Sequence, residues 1–512
     1  WSAELLREKF NVNITIINDN DGTFVTRMEA RDLGDIVLFG NNGKQYLEAI
    51  EAGLLFDWEE DDLAQEYGPY VWENMQLALE TNRKISGGTI YGYGYDVAAS
   101  AGSIKEFIYY PYVRWDLYQQ LGYPEIKTLE DFIPLLEDMV ALEPYTDKGQ
   151  KTYGVSMFPD WDGAMVMMVK STAALYGYEE FHMGLYDQET QTFQGCLEEG
   201  GQYLRALKFY NTLNQKGLLD PDSQGQTFDQ ATAKYLNGQS MFNIFTFVAE
   251  SFNSEENQAA GKSVECIAAN DQLNIVAGLA GYGGNRVWAI GANTAYPELC
   301  MEIINWLSTP EGVLSYNYGP KGVTWDYDEE GNTYMTDLGL QAQDNKETTT
   351  IEYGGWRGAY KDGEFQHNLT SWSRDAINPE SALGETFNFQ NWASTMLNKP
   401  VTPIRQSWRD HYDAIRGDDY LVDRGLYSIT VQSTYSEAKR SSELETIYNQ
   451  VKESIKANSW SAIYAKSDEE YDAIVAKMIA EAKGFGYDEL VEWSIEEAVR
   501  RKAAEEEALG KK

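Results

Sequence analysis

The chain has few of the residues on which catalytic and structural-metal sites usually depend. It contains three cysteines and three histidines among 512 residues. The cysteines are odd in number and form no CxxC pair, so the sequence supports neither a zinc knuckle nor a disulfide framework. The histidines lie far apart, and no HExxH, G-x-S-x-G or P-loop motif occurs. These absences disfavour the common hydrolase and nucleotide-binding classes.

Long apolar runs and positive charge are also scarce. No stretch of about 18 apolar residues exists, so the sequence predicts no membrane-spanning helix. Lys and Arg total 41 against 81 Asp and Glu, which gives a formal net charge of −40. Such a negative field repels phosphate backbones and disfavours nucleic acid as a partner. It also favours a neutral or cationic ligand over an anionic one.

Aromatic residues, in contrast, are abundant. The chain has 35 Tyr, 14 Trp and 19 Phe, together 13% of its residues. A core uses Phe first, because Tyr and Trp carry polar atoms that need partners when buried. The excess of Tyr over Phe is typical of a flat surface that can also form hydrogen bonds, such as a saccharide platform or another interface. Surface tyrosines without a binding role are the alternative.

The length of the chain predicts two or three domains, since a single core rarely grows so large. The runs VNITII (12–17) and DIVLF (35–39) have the composition of strands and are separated by helical patterns. This alternation predicts a parallel α/β sheet, in which ligands bind at the carboxyl ends of the strands. The loops that follow residues 17 and 39 are therefore candidate site segments.

The most informative stretch lies between residues 210 and 319. It reads as a helix, a GLLDP turn (217–221), a second helix ending at Asn237-Gly238 and the strand MFNIFTF (241–247). A later strand then leads into a helix that starts at Pro297 and a TPEG stop (309–312). With ISGGTIYGYGYD (85–96) and IYYPYVRWD (108–116), this series resembles the extracellular solute-binding proteins of carbohydrate ABC importers. The resemblance is to the large LplA-like lipoprotein branch of the family 1 binding proteins.

The resemblance implies a two-lobed α/β fold of the periplasmic-binding-protein type II class, with a hinge and a helical C-terminal extension. It implies an N-terminal lobe from residues 1–112 and 280–322 and a C-terminal lobe from 113–279 and 323–432. Residues 433–512 would form the helical extension. Thr128, followed by Asp131, is predicted to cap a helix of the second lobe.

The resemblance also implies a function without catalysis and without a cofactor. The protein would capture an oligosaccharide or modified sugar between closing lobes and deliver it to the membrane permease subunits of an ABC importer. We expect a monomer on the extracellular face of the cytoplasmic membrane, with a lipid-anchored segment preceding Trp1. A glycoside hydrolase acting on similar saccharides, and a binder of peptides or other solutes, are the alternatives.

Saccharide sites combine aromatic platforms with planar polar side chains, and such sites are concave and largely preformed. Trp161 and Asp162 fit this description best, because they lie in a loop between a predicted strand and a helix. The remaining candidates follow predicted strands or occupy glycine-flanked loops; they are Asn41, Asn42, Tyr95, Asp96, Asn243, Phe245, Trp288, Trp356 and Arg357. For several of these, turn chemistry or core packing is an equally good explanation.

One segment has the spacing of a calcium loop. Asp326, Asp328 and Glu330 precede Gly331, and Asp337 stands at the twelfth position where a calcium loop usually has Glu. The intervening sequence Asn-Thr-Tyr is more typical of a hairpin turn. The sequence therefore predicts no metal site, with these four acids as a weak calcium candidate.

Overall fold

The structure is a computed structural model that describes residues 1–19, 22–95, 97–98, 104–283, 285–365, 372–398, 401–435 and 437–511. Its α-helices are α1 Ser2–Phe10, α2 Thr23–Ala30, α3 Lys44–Glu51, α4 Leu63–Tyr67, α5 Pro69–Asn74, α6 Gln76–Ile85, α7 Trp115–Gln120, α8 Phe132–Leu142, α9 Met167–Ala173, α10 Gln202–Gln215, α11 Phe228–Leu236, α12 Thr246–Ala249, α13 Glu255–Ala259, α14 Pro297–Ser308, α15 Pro310–Tyr318, α16 Asp337–Asp344, α17 Ala393–Asn398, α18 Pro403–Tyr412, α19 Gly417–Asp423, α20 Ser442–Ile463, α21 Asp468–Phe485 and α22 Tyr487–Ala508. Its strands are β1 Ile36–Leu38, β2 Gly92–Tyr95, β3 Ile104–Phe107, β4 Tyr109–Arg114, β5 Tyr178–Phe181, β6 Gly184–Asp187, β7 Thr192–Gly195, β8 Phe242–Phe245, β9 Val264–Cys266, β10 Asn274–Gly278, β11 Asn285–Ile290, β12 Trp325–Tyr327, β13 Thr333–Met335, β14 Thr350–Tyr353, β15 Trp356–Ala359 and β16 Tyr427–Thr430.

Two large hydrophobic cores divide the chain into two lobes. The first core draws its buried residues from Leu5 to Ala98 and from Leu279 to Trp392. The second draws them from Phe107 to Val276 and from Trp408 to Leu490. The chain therefore crosses between the lobes near residues 98–107, 276–279 and 392–408, and each lobe is discontinuous in sequence.

These cores place the lobe boundaries differently from the boundaries expected from sequence. We propose that the first crossing comes before residue 107 rather than at 112, because Phe107, Tyr110 and Tyr112 are buried in the second core. The segment that follows residue 323 was assigned to the second lobe, yet its tryptophans at 325, 372 and 392 are buried in the first core. We therefore propose that the first lobe extends to about residue 392.

The first-lobe sheet has the strand order β1–β11–β2. Both neighbours pair antiparallel with β11, so that Leu38 and Tyr93 lie opposite Trp288 on its two sides. β1 and β2 therefore run in the same direction without pairing directly, and both end at one edge of the sheet. The predicted parallel pairing fails here because the returning strand β11 inserts between them.

The second lobe contains the sheets β8–β4–β9 and β16–β10–β3, together with the β5–β6–β7 meander. Among the described strand pairs, β10 and β16 are parallel, and the other pairs are antiparallel. The run at 12–17 forms no strand, and Ile14, Ile16 and Ile17 are exposed. A strand-like composition is not sufficient for a strand when no neighbour supplies a ladder.

The C-terminal helices α20–α22 form the predicted helical extension and pack on the second lobe. Ile455, Trp460 and Met478 are buried in its core. Asn211 on α10 donates hydrogen bonds of 3.0 Å to the carbonyl of Ala462, in the last turn of α20, and of 2.9 Å to the carbonyl of Ala465, just beyond the helix end. No helix in the described ranges is long and apolar enough to cross a membrane.

Candidate functional site

Five aromatic rings form a cluster on the second lobe that we call the aromatic patch. The patch consists of Phe158, Trp161, Phe228, Phe245 and Phe247. The Trp161 ring lies 4.3 Å from Phe228, 5.0 Å from Phe158 and 5.9 Å from Phe245, measured between ring centroids. Trp161 is 39% exposed and Phe247 is 56% exposed, whereas Phe158 and Phe245 are buried beneath them. The patch therefore presents two accessible rings on an aromatic base.

Strand and helix ends position these rings. Phe245 is the last residue of β8, and its backbone N–H donates to the side-chain oxygen of Asn243 at 2.8 Å. Phe228 opens α11, whose capping box is formed by Thr227 and Gln230. The Phe228 backbone N–H donates to Asp160 at 2.8 Å, which ties the start of this helix to the loop that carries Trp161. The cluster thus forms where three separate segments meet.

Asp162 holds the Trp161 loop in place. One carboxylate oxygen accepts the backbone N–H of Met167 at 2.8 Å, and the other accepts the indole N–H of Trp460 at 2.7 Å. Burial raises the pKa of Asp162, and these two hydrogen bonds oppose the shift. Asp162 was predicted to contact a ligand, but in this conformation both of its oxygens are used inside the protein. These bonds favour a role for Asp162 in positioning the neighbouring tryptophan.

Polar side chains border the patch. Lys170 and Glu180 form an ion pair beside the loop that carries Trp161. The pair lies close to the loop backbone, since a Cβ placed on Gly163 would lie 3.3 Å from the charged groups of both side chains. Lys170 is buried, whereas the Glu180 side chain is 40% exposed. Tyr109 packs 5.8 Å from Phe245, and burial raises the pKa of its hydroxyl. Aromatic faces next to polar groups suit a ligand with both apolar and hydroxylated surfaces.

The patch lies close to the first chain crossing. β3 ends at Phe107 and β4 begins at Tyr109, so the crossing segment leads directly into the strand that pairs with β8, whose last residue is Phe245. Tyr109 lies opposite Phe245 in the β4–β8 pair. The patch therefore occupies the edge of the second-lobe sheet at which the chain enters from the first lobe.

Candidates of the first lobe gather at one edge of its sheet. Asn41 and Asn42 follow β1, while Tyr95 ends β2 opposite Asn285. Asn41 is exposed, and its side-chain oxygen accepts the backbone N–H of Gly43 at 2.8 Å. This hydrogen bond is typical of a turn. It uses only the side-chain oxygen of Asn41 and does not involve the side-chain nitrogen. Asp96 lies outside the described residues.

Three other predicted site residues lie away from the patch. Trp288 is 2% exposed in the first core, so it has no ring face to offer a ligand. Trp356 packs in a small cluster with Trp1 and Tyr360, and the hairpin that carries it lies against α1. Arg357 beside it is exposed. These placements favour packing over ligand contact for both tryptophans.

The weak calcium candidate folds as a hairpin. β12 and β13 pair antiparallel, with Asp326 opposite Tyr334, and Asp337 opens α16. The Asp328 carboxylate accepts the backbone N–H groups of Glu330 at 3.0 Å and Asn332 at 2.7 Å. Within the described ranges, no group of three or more His, Cys, Asp or Glu side chains is arranged to hold a metal ion.

Sequence reasoning missed Phe158, Phe228, Phe247 and Tyr109. For Phe228 a signal was available, since Thr227 and Gln230 spell a capping box that fixes the start of a helix at this residue. For Phe247 the signal was its position at the end of the run 241–247 that also contains Phe245, although in the structure Phe247 lies in α12 directly after β8. Their convergence on Trp161 depends on tertiary packing between segments distant in sequence.

Comparison with known proteins gives the fold. No protein-family model and no curated protein sequence matches the chain. Among solved structures, it is similar to an HMO binding ABC-transporter associated solute binding protein from Bifidobacterium longum infantis, with 14% identity, a TM-score of 0.53 and coverage of 97% of this chain and 94% of that one. It is also similar to the substrate binding protein FusA of Streptococcus pneumoniae, solved in complex with kestose, with 14% identity, a TM-score of 0.50 and coverage of 98% and 95%.

A third similar structure is an extracellular solute-binding protein from Bifidobacterium longum subsp. infantis, with 13% identity and a TM-score of 0.50. The similarity extends over 97% of this chain and 94% of the chain of that structure. The chain thus has the two-domain α/β fold of solute-binding proteins along nearly its whole length. At such low identity the likeness establishes the fold alone.

Proposed function

We propose that the protein captures neutral oligosaccharides between its two lobes and delivers them to the permease subunits of an ABC importer. The observation that carries this proposal is the aromatic patch with its two exposed rings. The structures of similar fold are named as binding proteins of ABC transporters, and one of them is solved with kestose. We further propose that the protein acts as a monomer at the extracellular face of the cytoplasmic membrane, held by a lipid anchor.

The geometry of the patch favours an oligosaccharide over a single sugar. The C–H faces of pyranose rings stack on aromatic rings, and Trp161 and Phe247 present two such surfaces. Their centroids are 6.2 Å apart and their planes are tilted by 40°. This spacing is comparable with that of neighbouring rings in a saccharide chain, so each ring suits one of two consecutive sugars.

The charge of the protein favours a neutral sugar. The formal net charge is −40, and Glu180 at the border of the patch is partly exposed. The negative field of the protein would repel the carboxylates of uronic or sialic acids. In contrast, exposed carboxylates accept hydrogen bonds from sugar hydroxyls, and amides both accept and donate them, without repulsion from a ligand charge.

Capture requires contacts from both lobes. The first-lobe edge with Asn41 and Asn42 supplies amides, which can pair with two neighbouring hydroxyls. A ligand held by the patch and by these amides would favour the closed arrangement, because it binds that state more tightly. Release to a permease then requires reopening.

The acids around the patch favour binding over hydrolysis. A glycoside hydrolase needs two carboxyl groups on opposite sides of the scissile bond, one of them able to donate a proton. Asp160 and Asp162 accept hydrogen bonds from Phe228, Met167 and Trp460, and Glu180 is paired with Lys170. These contacts hold the acids nearest to the patch in structural roles.

Isothermal titration calorimetry with a panel of neutral di- to hexasaccharides tests the proposal. We expect binding by the native protein and by the control variant Tyr145→Ala, which removes a tyrosine that is 61% exposed elsewhere on the second lobe. Trp161→Ala should weaken binding strongly. Binding to peptides or amino acids alone would overturn the saccharide class, and the release of shorter sugars on incubation would overturn the non-enzymatic function.

A further inference from the structure

A second concave surface lies on the second lobe, along the outer side of α11. It is a groove of about 1060 Å³ between the 221–226 loop, one face of α11 and Tyr464 at the end of α20. Gln230, Ala233 and Asn237 line it from the helix and its C-terminal cap. None of the five rings of the aromatic patch lines this groove. Its volume is slightly above the usual range of about 300–1,000 Å³ for ligand pockets.

Primary amides dominate the polar lining of the groove. Gln224, Asn237 and Gln239 all line it, and their side chains form no hydrogen bond within the described part of the chain. Each amide offers both a donor and an acceptor, as a sugar hydroxyl does. Three such groups around one groove can therefore satisfy several hydroxyls without introducing a charge.

The charges in the groove are already paired. The Lys234 ammonium contacts the carboxylates of Asp220 at 2.7 Å and Asp222 at 2.8 Å. Two carboxylates around one ammonium leave a small excess of negative charge, which disfavours phosphate, sulfate and uronate ligands. The groove therefore fits an uncharged, hydroxyl-rich ligand better than an anion.

The floor and one wall of the groove are rigid. Gln226 is 5% exposed, and its amide N–H groups donate to the Ser156 hydroxyl and the Met157 carbonyl, both at 2.7 Å. The Tyr464 hydroxyl donates to the Pro221 carbonyl and accepts the backbone N–H of Gln224, both at 3.3 Å. These bonds fix the tyrosine ring against the groove, so an apolar face stands among the amides.

We propose that this groove is a second binding site for neutral oligosaccharides, separate from the aromatic patch. The proposal goes beyond the capture function, because the groove lies within one lobe and needs no closure. A weak site of this kind would hold a saccharide chain on the protein and raise its effective concentration near the cleft.

Hydrogen–deuterium exchange with mass spectrometry locates the bound saccharide. The probes are maltohexaose, cellohexaose, xylohexaose and mannohexaose at millimolar concentration, with hexagalacturonate as the anionic control. A neutral hexasaccharide that binds should slow exchange at least twofold in peptides covering 221–239, scored at residues 230–239 so that the patch residue Phe228 does not contribute, and separately in peptides covering 243–249 at the patch. Hexagalacturonate should leave the 221–239 peptides unchanged.

Two tryptophan substitutions on the same helix provide the matched comparison. Ala233→Trp places a large ring in the groove at an exposed position, whereas Leu236→Trp alters an exposed residue of α11 that does not line it. Protection of 221–239 should disappear in Ala233→Trp and persist in Leu236→Trp. Protection of 243–249 should persist in both, which also shows that each variant is folded.

The outcomes separate this proposal from the capture function. Protection at 243–249 without protection at 221–239 overturns the groove site and leaves capture standing. Protection at 221–239 that survives Ala233→Trp, or that hexagalacturonate produces equally, also overturns it. Protection at 221–239 alone supports the groove and overturns the aromatic patch as the capture site, and protection at neither region overturns both.

Discussion

Replacing Trp161 by alanine removes the larger of the two accessible rings of the aromatic patch. Because Trp161 is 39% exposed, about three-fifths of its surface packs on the protein, chiefly against Phe158, Phe228 and Phe245. Aromatic pairs are worth about 0.5–1.5 kcal/mol each, and truncating a fully buried Trp costs about 3–5 kcal/mol. For this half-buried ring we expect a loss of about 1–2 kcal/mol in the free energy of unfolding.

The expected loss of ligand affinity is larger than the loss of stability. An aromatic hot spot in a binding site contributes about 2–4 kcal/mol, which corresponds to roughly a 30- to 1000-fold rise in the dissociation constant. The dissociation constant of a productive hexasaccharide is measured by calorimetry, and the melting temperature of the unliganded protein by differential scanning calorimetry. We expect the melting temperature to fall by no more than a few degrees.

Two further variants make the comparison sharp. Trp161→Phe keeps an aromatic face and should bind the hexasaccharide more tightly than Trp161→Ala. Tyr145→Ala should change neither the dissociation constant nor the melting temperature. The reasoning is refuted if Trp161→Ala lowers the melting temperature by several degrees while the dissociation constant per folded molecule stays within twofold of the native value. That result would assign Trp161 to packing alone.

Three other substitutions follow from the same contacts. Phe247→Ala should weaken saccharide binding by about 1–2 kcal/mol, or roughly 5- to 30-fold by calorimetry, with an almost unchanged melting temperature, because this ring is 56% exposed. Trp460→Phe deletes the indole donor to Asp162 and should cost about 1–2 kcal/mol of unfolding free energy in denaturant titrations, with faster deuterium uptake in the 159–166 loop. Burial raises the pKa of Glu265 from 4.5 to about 7, so this carboxyl holds its proton more tightly in the folded than in the unfolded state. The stabilising contribution of this carboxyl is complete below about pH 4.5 and is lost as the pH rises through 7. The melting temperature of the native protein minus that of Glu265→Gln should therefore fall between pH 5 and 8. A difference in melting temperature that stays constant over this range would contradict the raised pKa of Glu265.

Local signals in the sequence predicted much of the fold. Thr128 and Asp131 form the predicted capping box, and Pro297 starts a helix as expected. The Thr-Pro-Glu-Gly stop is correct for α14, but Thr309 also caps α15, which begins at the next residue. Such features depend on a few neighbouring residues, and for this reason they can be read without knowledge of the tertiary structure.

Features that depend on distant residues were less predictable. The composition of β11 does not reveal that it inserts between β1 and β2, and nothing local assigns Trp372 or Trp392 to the first core. Trp288 illustrates the same limit, since a tryptophan on a strand has the same local signature whether it faces a cleft or a core. Only the packing of the first core shows that its ring is enclosed.

Part of the candidate site could be predicted from the sequence, because ligand contacts tend to lie at strand ends. Strand ends were expected to carry ligand contacts, and this rule led to Phe245 and to the loop with Trp161, which the structure brings within 5.9 Å of each other. The same rule brought in Asp162, whose carboxylate is used to hold the loop. Residue type and position predict where a site forms, but the partners of each polar atom decide which side chains remain available to a ligand.

The first-lobe edge with Asn41 and Asn42 and the aromatic patch of the second lobe both lie near the first chain crossing, and this position affects how a ligand would drive closure of the lobes. β2 ends at Tyr95 beside the first-lobe amides, and β4 begins at Tyr109 beside the aromatic patch, so the first crossing joins the two surfaces. A ligand held by the patch alone would bind the open and closed arrangements equally and would shift neither population. Only a saccharide long enough to reach Asn41 and Asn42 as well gains contacts on closing. Chain length is therefore expected to control closure more strongly than the identity of the sugar stacked on Trp161.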